Sequence, residues 1–479
     1  MSTVHLMIGI PGSGKTTYVN KLLKTKKGKE YILISTDLVR KENPNLNEKD
    51  LWPLVYKKAS EYLKDGKDII FDATNITPKV RQRLVTNLKQ YIDDFQVKAY
   101  YFPTDYKICI DRVVKRNKID GELFLPPEVC KSYGENVIPP QYDEKFKSLK
   151  LVHINDSLLK GLVVDPYQGY AFYYRNKDEV IEEYNGFESV NTKKPIRSNS
   201  CFRLASVSKQ FISYGIMKLV ENKLLSYKTT LYSLFNDMPE YTKKITISHM
   251  LYHTSGLYDY ENMPHTDEQI SDYDVLDYIR ETNDTYFKPG EKYQYSNTAY
   301  VILGLVLEKT TLARTDFVLE DLIFKPLKML NTKANYEGET KFENRAYGHI
   351  KKRGKFVQKD QYWCSATIGD GGIYSNIDDL KKWLYYLHTT DYKTLNKTMF
   401  KPNIIGDVNT EYGYGIRNRV IKGYNVIYHC GSTIGTRTII GFIKELDVEF
   451  IFLTNIDGIE TSILIDNIIN DINKKAIRK

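Results

Sequence analysis

The stretch "TVHLMIGIPGSGKTTYVNKLLK", Thr3 to Lys24, changes its hydrophobic period in the middle. Its first part is a short apolar run, suited to a buried parallel strand. Its last part carries apolar residues at helical spacing. Between them, Gly9 to Thr16 matches G-x-x-x-x-G-K-[ST] in the strand–loop–helix setting that the motif requires. The glycines allow backbone N–H groups to turn inward around a phosphate, and the helix N-terminus adds its positive end. Gly9, Gly12, Ser13 and Gly14 are the expected cradle. Lys15 reaches the β- and γ-phosphates, Thr16 is placed to ligate Mg²⁺, and Thr17 completes the nucleotide-binding set.

Working outward, "EYILIS" reads as a second strand and ends in Thr36-Asp37-Leu-Val-Arg40. A carboxylate at the C-terminal end of a parallel strand faces the ligand crevice. Asp37 is open to two readings: a base for an attacking hydroxyl, with Arg40 holding an anion beside it, or a helix cap. A third strand, "KDIIFDATN", ends in Asp72, Thr74 and Asn75. Asp72 is expected to hold Mg²⁺ through water, and Asn75 to position Asp37 or a substrate hydroxyl. After a fourth strand, "FQVKAYYFP", Arg112 and Arg116 stand four apart on one helix face, as a lid that meets charge on a transferred phosphoryl group requires.

These residues together resemble the polynucleotide-kinase branch of P-loop kinases, over residues 1 to about 150. The resemblance rests on Gly9–Thr16, Asp37-x-x-Arg40, Asp72-x-Thr74-Asn75 and Arg116. It implies ATP and Mg²⁺, Asp37 as general base on a 5′-hydroxyl nucleic-acid end, and Arg40 on the substrate phosphate. The same branch holds kinases of small molecules and nucleotide sugars, including the zeta-toxin type, so the acceptor stays open. The Asp-x-Asp of a partner phosphatase is missing; "VVDPYQG" offers only Asp165.

A second signature lies at "FRLASVSKQF", Phe202 to Phe211, where Ser206-x-x-Lys209 sets an amine one helical turn from a hydroxyl. A lysine whose charge is disfavoured by burial or neighbouring cations can take the serine proton. Tyr295-Ser-Asn297 follows as a proton carrier for the leaving group, with Asn297 to hold Lys209 and a substrate amide. "VIYHCGSTIGTRTIIGF" then supplies His429-x-Gly431 on a β-rich run. The N–H groups of Ser206 and Ser432 would face a developing oxyanion. "ITISHMLYHTSGL" and "IGDGGIYSNIDDLKKWL" accompany them.

From about residue 160 onward the chain resembles the serine β-lactamase-like family: class C β-lactamases, D-Ala-D-Ala carboxypeptidases and related esterases. The resemblance implies an acyl-enzyme at Ser206, an ester or amide acyl substrate, and an antiparallel sheet with a helical subdomain. "YAFYYRNKDEVIEEYNGF" reads as the opening hairpin, "TIIGFIKE" and "VEFIFLTNI" as further strands, and "TSILIDNIINDINKKA" as a covering helix. One departure matters. Class C β-lactamases carry Lys-Thr-Gly where this chain has His429-Cys430-Gly431, which argues for an esterase or peptidase.

At 479 residues, two or more domains are expected. We place an α/β kinase domain with a parallel sheet at 1–152 and an α+β serine hydrolase domain at 160–479. No apolar run approaches the roughly 18 residues of a membrane helix, and "MSTVHLMIGIPG" lacks the regions of a signal peptide. Five widely spaced cysteines without a Cys-x-x-Cys pair fit a reducing compartment, so a cytoplasmic protein with no membrane partner is expected. Residues 1–150 hold 27 Lys and Arg against 19 Asp and Glu, which leaves almost all of the net +9 in the first third. That surplus reads either as a surface for a polyanion or as scatter. His249 and His253 stand four apart without the Glu of H-E-x-x-H, and a structural role is expected. Three functions follow: a bifunctional polynucleotide kinase and acyl hydrolase, a small-molecule kinase fused to an esterase or peptidase, or a kinase with a silent binding module. Oligomeric state is not readable from the sequence.

Overall fold

The computed structural model describes residues 1–119, 124–264, 267–390 and 392–477. By contact the chain divides into two units, Met1–Gly169 with Val180–Phe187 and Asn470–Lys479, and Tyr170–Glu179 with Glu188–Ile469.

The first unit is built on strands β1 (Ser2–Ile8), β2 (Ile32–Ser35), β3 (Ile69–Asp72), β4 (Phe95–Tyr101) and β5 (Ser148–Leu151). They form one parallel sheet in the order β2-β3-β1-β4-β5. β1 is central and buried at every position, which is why its sequence runs apolar without alternation. β5 is an edge strand with two exposed residues, and its "SLKL" carries no apolar run that would have marked it. The helices are α1 (Lys15–Leu23), α2 (Thr36–Glu42), α3 (Glu48–Lys64), α4 (Pro78–Lys89), α5 (Tyr106–Arg116) and α6 (Pro127–Asn136). Local chemistry starts several of them. Asn47 caps α3 by accepting from the N–H groups of Lys49 and Asp50, and Asp105 caps α5 through Lys107. α4 opens with Thr77 as cap and Pro78 at its first position.

Two features tie the far parts of this unit together. Arg81, 1% exposed, donates two bonds to Glu144 (2.6 and 2.7 Å) and others to the carbonyls of Asn75 and Ile138. Val180–Asn185, expected beside Tyr170–Arg175 as a hairpin, is its neighbour in the strand order, and by contact it groups with the first unit. There Asp105 N donates to Glu182 O and Tyr184 N to Pro103 O, both at 2.9 Å. The carboxylate of Glu183 meets His153 Nδ1 and the N–H of Ile154, each at 2.6 Å.

In the second unit, strands Arg417–Ile421, Tyr424–Thr433, Thr436–Ile443, Val448–Thr454 and Tyr170–Arg175 lie side by side, each antiparallel to the next. A small mixed sheet joins Arg345–Ala346, Cys201–Arg203, Ile373–Ser375 and Lys333–Ala334. Helix Asn297–Thr311 is buried over Thr298–Leu307, so it is apolar all round rather than on one stripe. This is the antiparallel sheet with a helical portion that the sequence led us to expect. Among the described residues no helix is long and apolar enough to cross a membrane.

Candidate active sites

In the first unit the loop Gly9–Gly14 leaves the C-terminal end of β1 and runs into α1. Gly12 and Gly14 take φ of +82° and +100°, which only glycine holds without strain. A Cβ on Gly12 would stand 2.5 Å from the carbonyl oxygen of Cys109, whereas Gly14 faces open space. Ser13 is buried, and its hydroxyl has no hydrogen-bond partner. Lys15 curls back over the loop, donating to the carbonyls of Gly9 (2.8 Å) and Ile10 (3.0 Å). Burial lowers its pKa, opposed by Asp72 and Asp37. Burial raises the pKa of Asp72, with Lys15 opposing and Asp37 adding to the rise. Lys15, Asp37 and Asp72 are thus one electrostatic cluster at the strand ends.

Ser35, not Asp37, stands at the N-cap of α2, so the capping alternative falls away. Asp37 lies in the first turn, largely exposed, and pairs with Arg40 at 2.9 Å. Thr16 and Thr17 are exposed on the first turn of α1. Arg112 donates to the Gly12 carbonyl at 3.2 Å, while the buried Nε of Arg116 has no partner. Asn75 is placed differently from the rest. It is 1% exposed with φ +49°, and its amide donates to Met7 O at 2.8 Å, so it fastens the end of β1 from within.

In the second unit Ser206 lies in a 3₁₀ turn, Ala205–Ser208, that leads directly into helix Lys209–Glu221. Ala205 takes φ +49°, a left-handed conformation unusual for a residue with a side chain. Lys209 is fully buried, and its Nζ has three neighbours: Ser206 Oγ (3.1 Å), Asn297 Oδ1 (2.9 Å) and the carbonyl of Asp370 (2.7 Å). Each of the three accepts one N–H from Nζ, so the donors of Lys209 are all spent on Ser206, Asn297 and Asp370.

Asn297 opens its helix, and its Nδ2 donates to Glu261 Oε1 at 2.9 Å, which sets the amide with its oxygen toward Lys209. The Tyr295 ring centroid lies 5.0 Å from Lys209 Nζ and 4.2 Å from the ring of His253. His253 is buried with φ +56°, and its Nδ1 accepts from the N–H of Ser296 at 3.0 Å. It therefore pins the Tyr-Ser-Asn segment, the structural role expected of it. The His249 ring accepts from Thr246 N in a capping box.

Strand Arg417–Ile421 pairs with Tyr424–Thr433 only as far as Tyr428. Beyond it, the Ser206 turn lies against the strand at Gly431. A Cβ there would stand 2.1 Å from Leu204 O and 2.3 Å from Thr438 Oγ1, two atoms that hydrogen-bond each other at 2.9 Å. Ser432 follows, exposed. His429 is buried, and both ring nitrogens are engaged. Nδ1 lies 2.7 Å from Cys430 O, an acceptor, so it carries the proton; Nε2 accepts from Tyr412 Oη at 2.9 Å. Burial holds His429 and His253 well below the usual histidine value, with Arg417 and Lys209 among the further causes for both.

The structure thus brings Ser206, Lys209, Tyr295, Asn297 and Gly431 to one place and sets His429 behind Tyr295, ring centroids 6.3 Å apart. Sequence reasoning missed Glu261, Asp370, Tyr412 and Arg417. Only Asp370 sat in a stretch that had drawn notice, "IGDGG", and its backbone carbonyl does the work.

The Beta-lactamase family model matches residues 164–469, and the AAA domain model matches residues 4–139. Penicillin-binding protein 4* of Bacillus subtilis is 29% identical over 294 residues, 56% of this chain and 64% of its own length. A D-aminopeptidase of Brucella anthropi is 24% identical over 274 residues, 55% of this chain and 51% of its own. The chain thus spans about half to two thirds of the length of these curated relatives. Two solved structures share the fold. One is the octameric penicillin-binding protein homologue from Pyrococcus abyssi, with TM-score 0.56, 24% identity and coverage of 64% of this chain and 74% of that one. The other is the D-amino acid amidase from Ochrobactrum anthropi SV3 complexed with D-phenylalanine, with TM-score 0.57, 22% identity and coverage of 67% and 98%.

Proposed function

The chain belongs to the Beta-lactamase family through residues 164–469, and on that premise we propose that its second unit is a serine hydrolase of amide or ester bonds, joined to a first unit that phosphorylates 5′-hydroxyl polynucleotide ends. The observation that carries the hydrolase reading is the three-way environment of Lys209 Nζ. Lys209 takes the Ser206 proton as Oγ attacks the acyl carbon. The oxyanion draws on the N–H groups of Ser206 and Ser432. Tyr295 passes a proton to the leaving amine or alkoxide, and water then attacks the acyl-enzyme by the same route reversed. The names of the relatives, a D-aminopeptidase and a D-amino acid amidase, favour amide bonds. The absence of Lys-Thr-Gly disfavours β-lactam turnover.

For the first unit, the AAA domain match and the loop support nucleotide binding. The orphaned Ser13 hydroxyl, the open face of Gly14 and the buried Lys15 amine fit a bound triphosphate. Thr16 and Asp72 are the residues that would hold Mg²⁺, which when bound neutralises charge on the phosphates. Asp37 takes the proton of the acceptor hydroxyl, Arg40 holds the acceptor's phosphate, and Arg112 and Arg116 meet charge on the transferred group.

Intact mass after exposure to an activated ester tests the hydrolase. One acyl adduct is expected on the parent and none on Ser206→Ala; equal adducts, or none on either, would mean a silent domain. Labelled ATP offered with 5′-hydroxyl RNA, 5′-hydroxyl DNA and nucleotide sugars tests the kinase. Label on small acceptors alone would favour the small-molecule reading.

A further inference from the structure

Helices α3 and α4 enclose a groove of about 420 Å³ on the first unit, lined by Lys49, Trp52, Tyr56, Arg83 and Asn87. Among the described residues its lining holds two cations, two aromatic rings and an amide, and no carboxylate. The rings of Trp52 and Tyr56 lie 5.7 Å apart, and the Arg83 guanidinium stands 5.8 Å from the Trp52 centroid. Flat rings beside cations are the chemistry that takes a nucleobase and its phosphate together.

The placement of the groove follows from topology. α4 starts just past Asp72, at the crevice end of β3, so Arg83 lies about 8 Å along the helix from that end. α3 feeds the opposite end of β3, so its own start, with Lys49 and Trp52, is again at the crevice end. The groove therefore leads away from the strand ends that carry Asp37 and Asp72. Residues 1–150 also hold the chain's positive surplus, 27 basic against 19 acidic.

We infer that this groove is the track for the single-stranded acceptor, with a nucleobase stacked on Trp52 and backbone phosphates on Lys49 and Arg83. The inference rests on the polynucleotide-kinase reading, because it assumes that the strand's 5′ end reaches Asp37.

Fluorescence anisotropy of a labelled 5′-hydroxyl single-stranded oligonucleotide on the full chain tests it without requiring turnover. Trp52→Ala is expected to weaken binding about tenfold, the scale of one lost stack, and Trp52→Phe to retain it. Lys49→Gln should lower the slope of log K against log salt by about 0.7, one phosphate contact on a single strand. ATP affinity should not change in any of these. Arg83→Gln gives an independent second loss should Trp52→Ala disturb the helix pair. Unchanged binding in both variants overturns the inference, and so does a parent that binds no strand. Displacement of the strand by AMP or polyglutamate as effectively as by unlabelled strand overturns it too, because the groove would then be a mononucleotide or protein site. Labelling of the strand from ATP, measured in parallel, separates the two readings. Groove-dependent binding without labelling keeps the track and loses the kinase; labelling indifferent to Trp52 and Arg83 keeps the kinase and loses the track.

Discussion

A methyl group on Gly431 would meet the Leu204 carbonyl and the Thr438 hydroxyl at the point where those two bond each other. The bare Cα lets that bond pass and so clamps the Ser206 turn onto the strand that carries the Ser432 N–H. Gly431→Ala is expected to push the two apart. Overpacking of this kind costs about 1–3 kcal/mol. A misplaced oxyanion donor costs on the order of 10² in acylation rate. Adduct formation followed by mass checks it, and a parent-like rate would reject the clamp. The neighbouring His429 gives a pH signature. Its folded pKa lies well below 6.5, chiefly through burial, while the unfolded chain takes the proton near 6.5. Below that value the unfolded state holds more protons, so stability falls with pH by about 1.4 kcal/mol per unit until the folded pKa is reached. His429→Gln removes this term. The stability gap between parent and variant should narrow from pH 7.5 to 5.5. Trp52→Phe as background leaves Trp363 and Trp383, both in the second unit, as the reporters in denaturation. A gap independent of pH would mean that His429 takes up its proton alike in the folded and unfolded chain.

Elements are held by residues whose partners are far off in sequence. Arg81 joins α4 to the segment around Ile138 and Glu144 through a buried two-pronged ion pair. Removing one partner of a buried pair leaves the other uncompensated and costs about 3–5 kcal/mol. Arg81→Met should speed amide hydrogen exchange in α4 and in residues 138–151, with the second unit unchanged; parent-like exchange would show Glu144 to be well solvated. This pair marks the limit of sequence reading. Ser206 and Lys209 were legible because one helical turn brings them together whatever else the chain does, and Asn297 because it stands in the Tyr-Ser-Asn run that follows them in order. Glu261 and Tyr412 were not. They reach the site across 36 and 17 residues from positions with no local pattern. His429 was legible as a residue of the site region, but not its use, because a motif does not say which nitrogens a ring will spend on its own neighbours.

For the whole molecule, reading Val180–Asn185 as one arm of a hairpin did not tell which unit its contacts would favour. Periodicity fixes a face, not a partner. Its backbone bonds to Pro103 and Asp105 lie next to Thr104, whose hydroxyl donates to Ser13 O at 3.4 Å in the phosphate loop. A chain ending at residue 152, the boundary expected from sequence, would lack them. Two such bonds amount to about 2 kcal/mol, or about 4–8 °C in melting midpoint for a unit of this size. A chain ending at 187 should melt higher than one ending at 152 by that margin, read by thermal denaturation; equal midpoints would show that the segment adds nothing.

The same segment bears on the order in which the protein can be made. A ribosome delivers chain from the N-terminus, and domains generally complete in that order. Here the phosphate loop emerges well before the strand beside Pro103–Asp105, which is complete only at residue 185. Ser157 waits longer still, for the Asp471 carboxylate that takes its hydroxyl at 2.7 Å. Of the two units, the one synthesised first is therefore finished late: its contacts at Pro103–Asp105 wait for residue 185, and its contact at Ser157 waits until nearly all of the second unit has been translated.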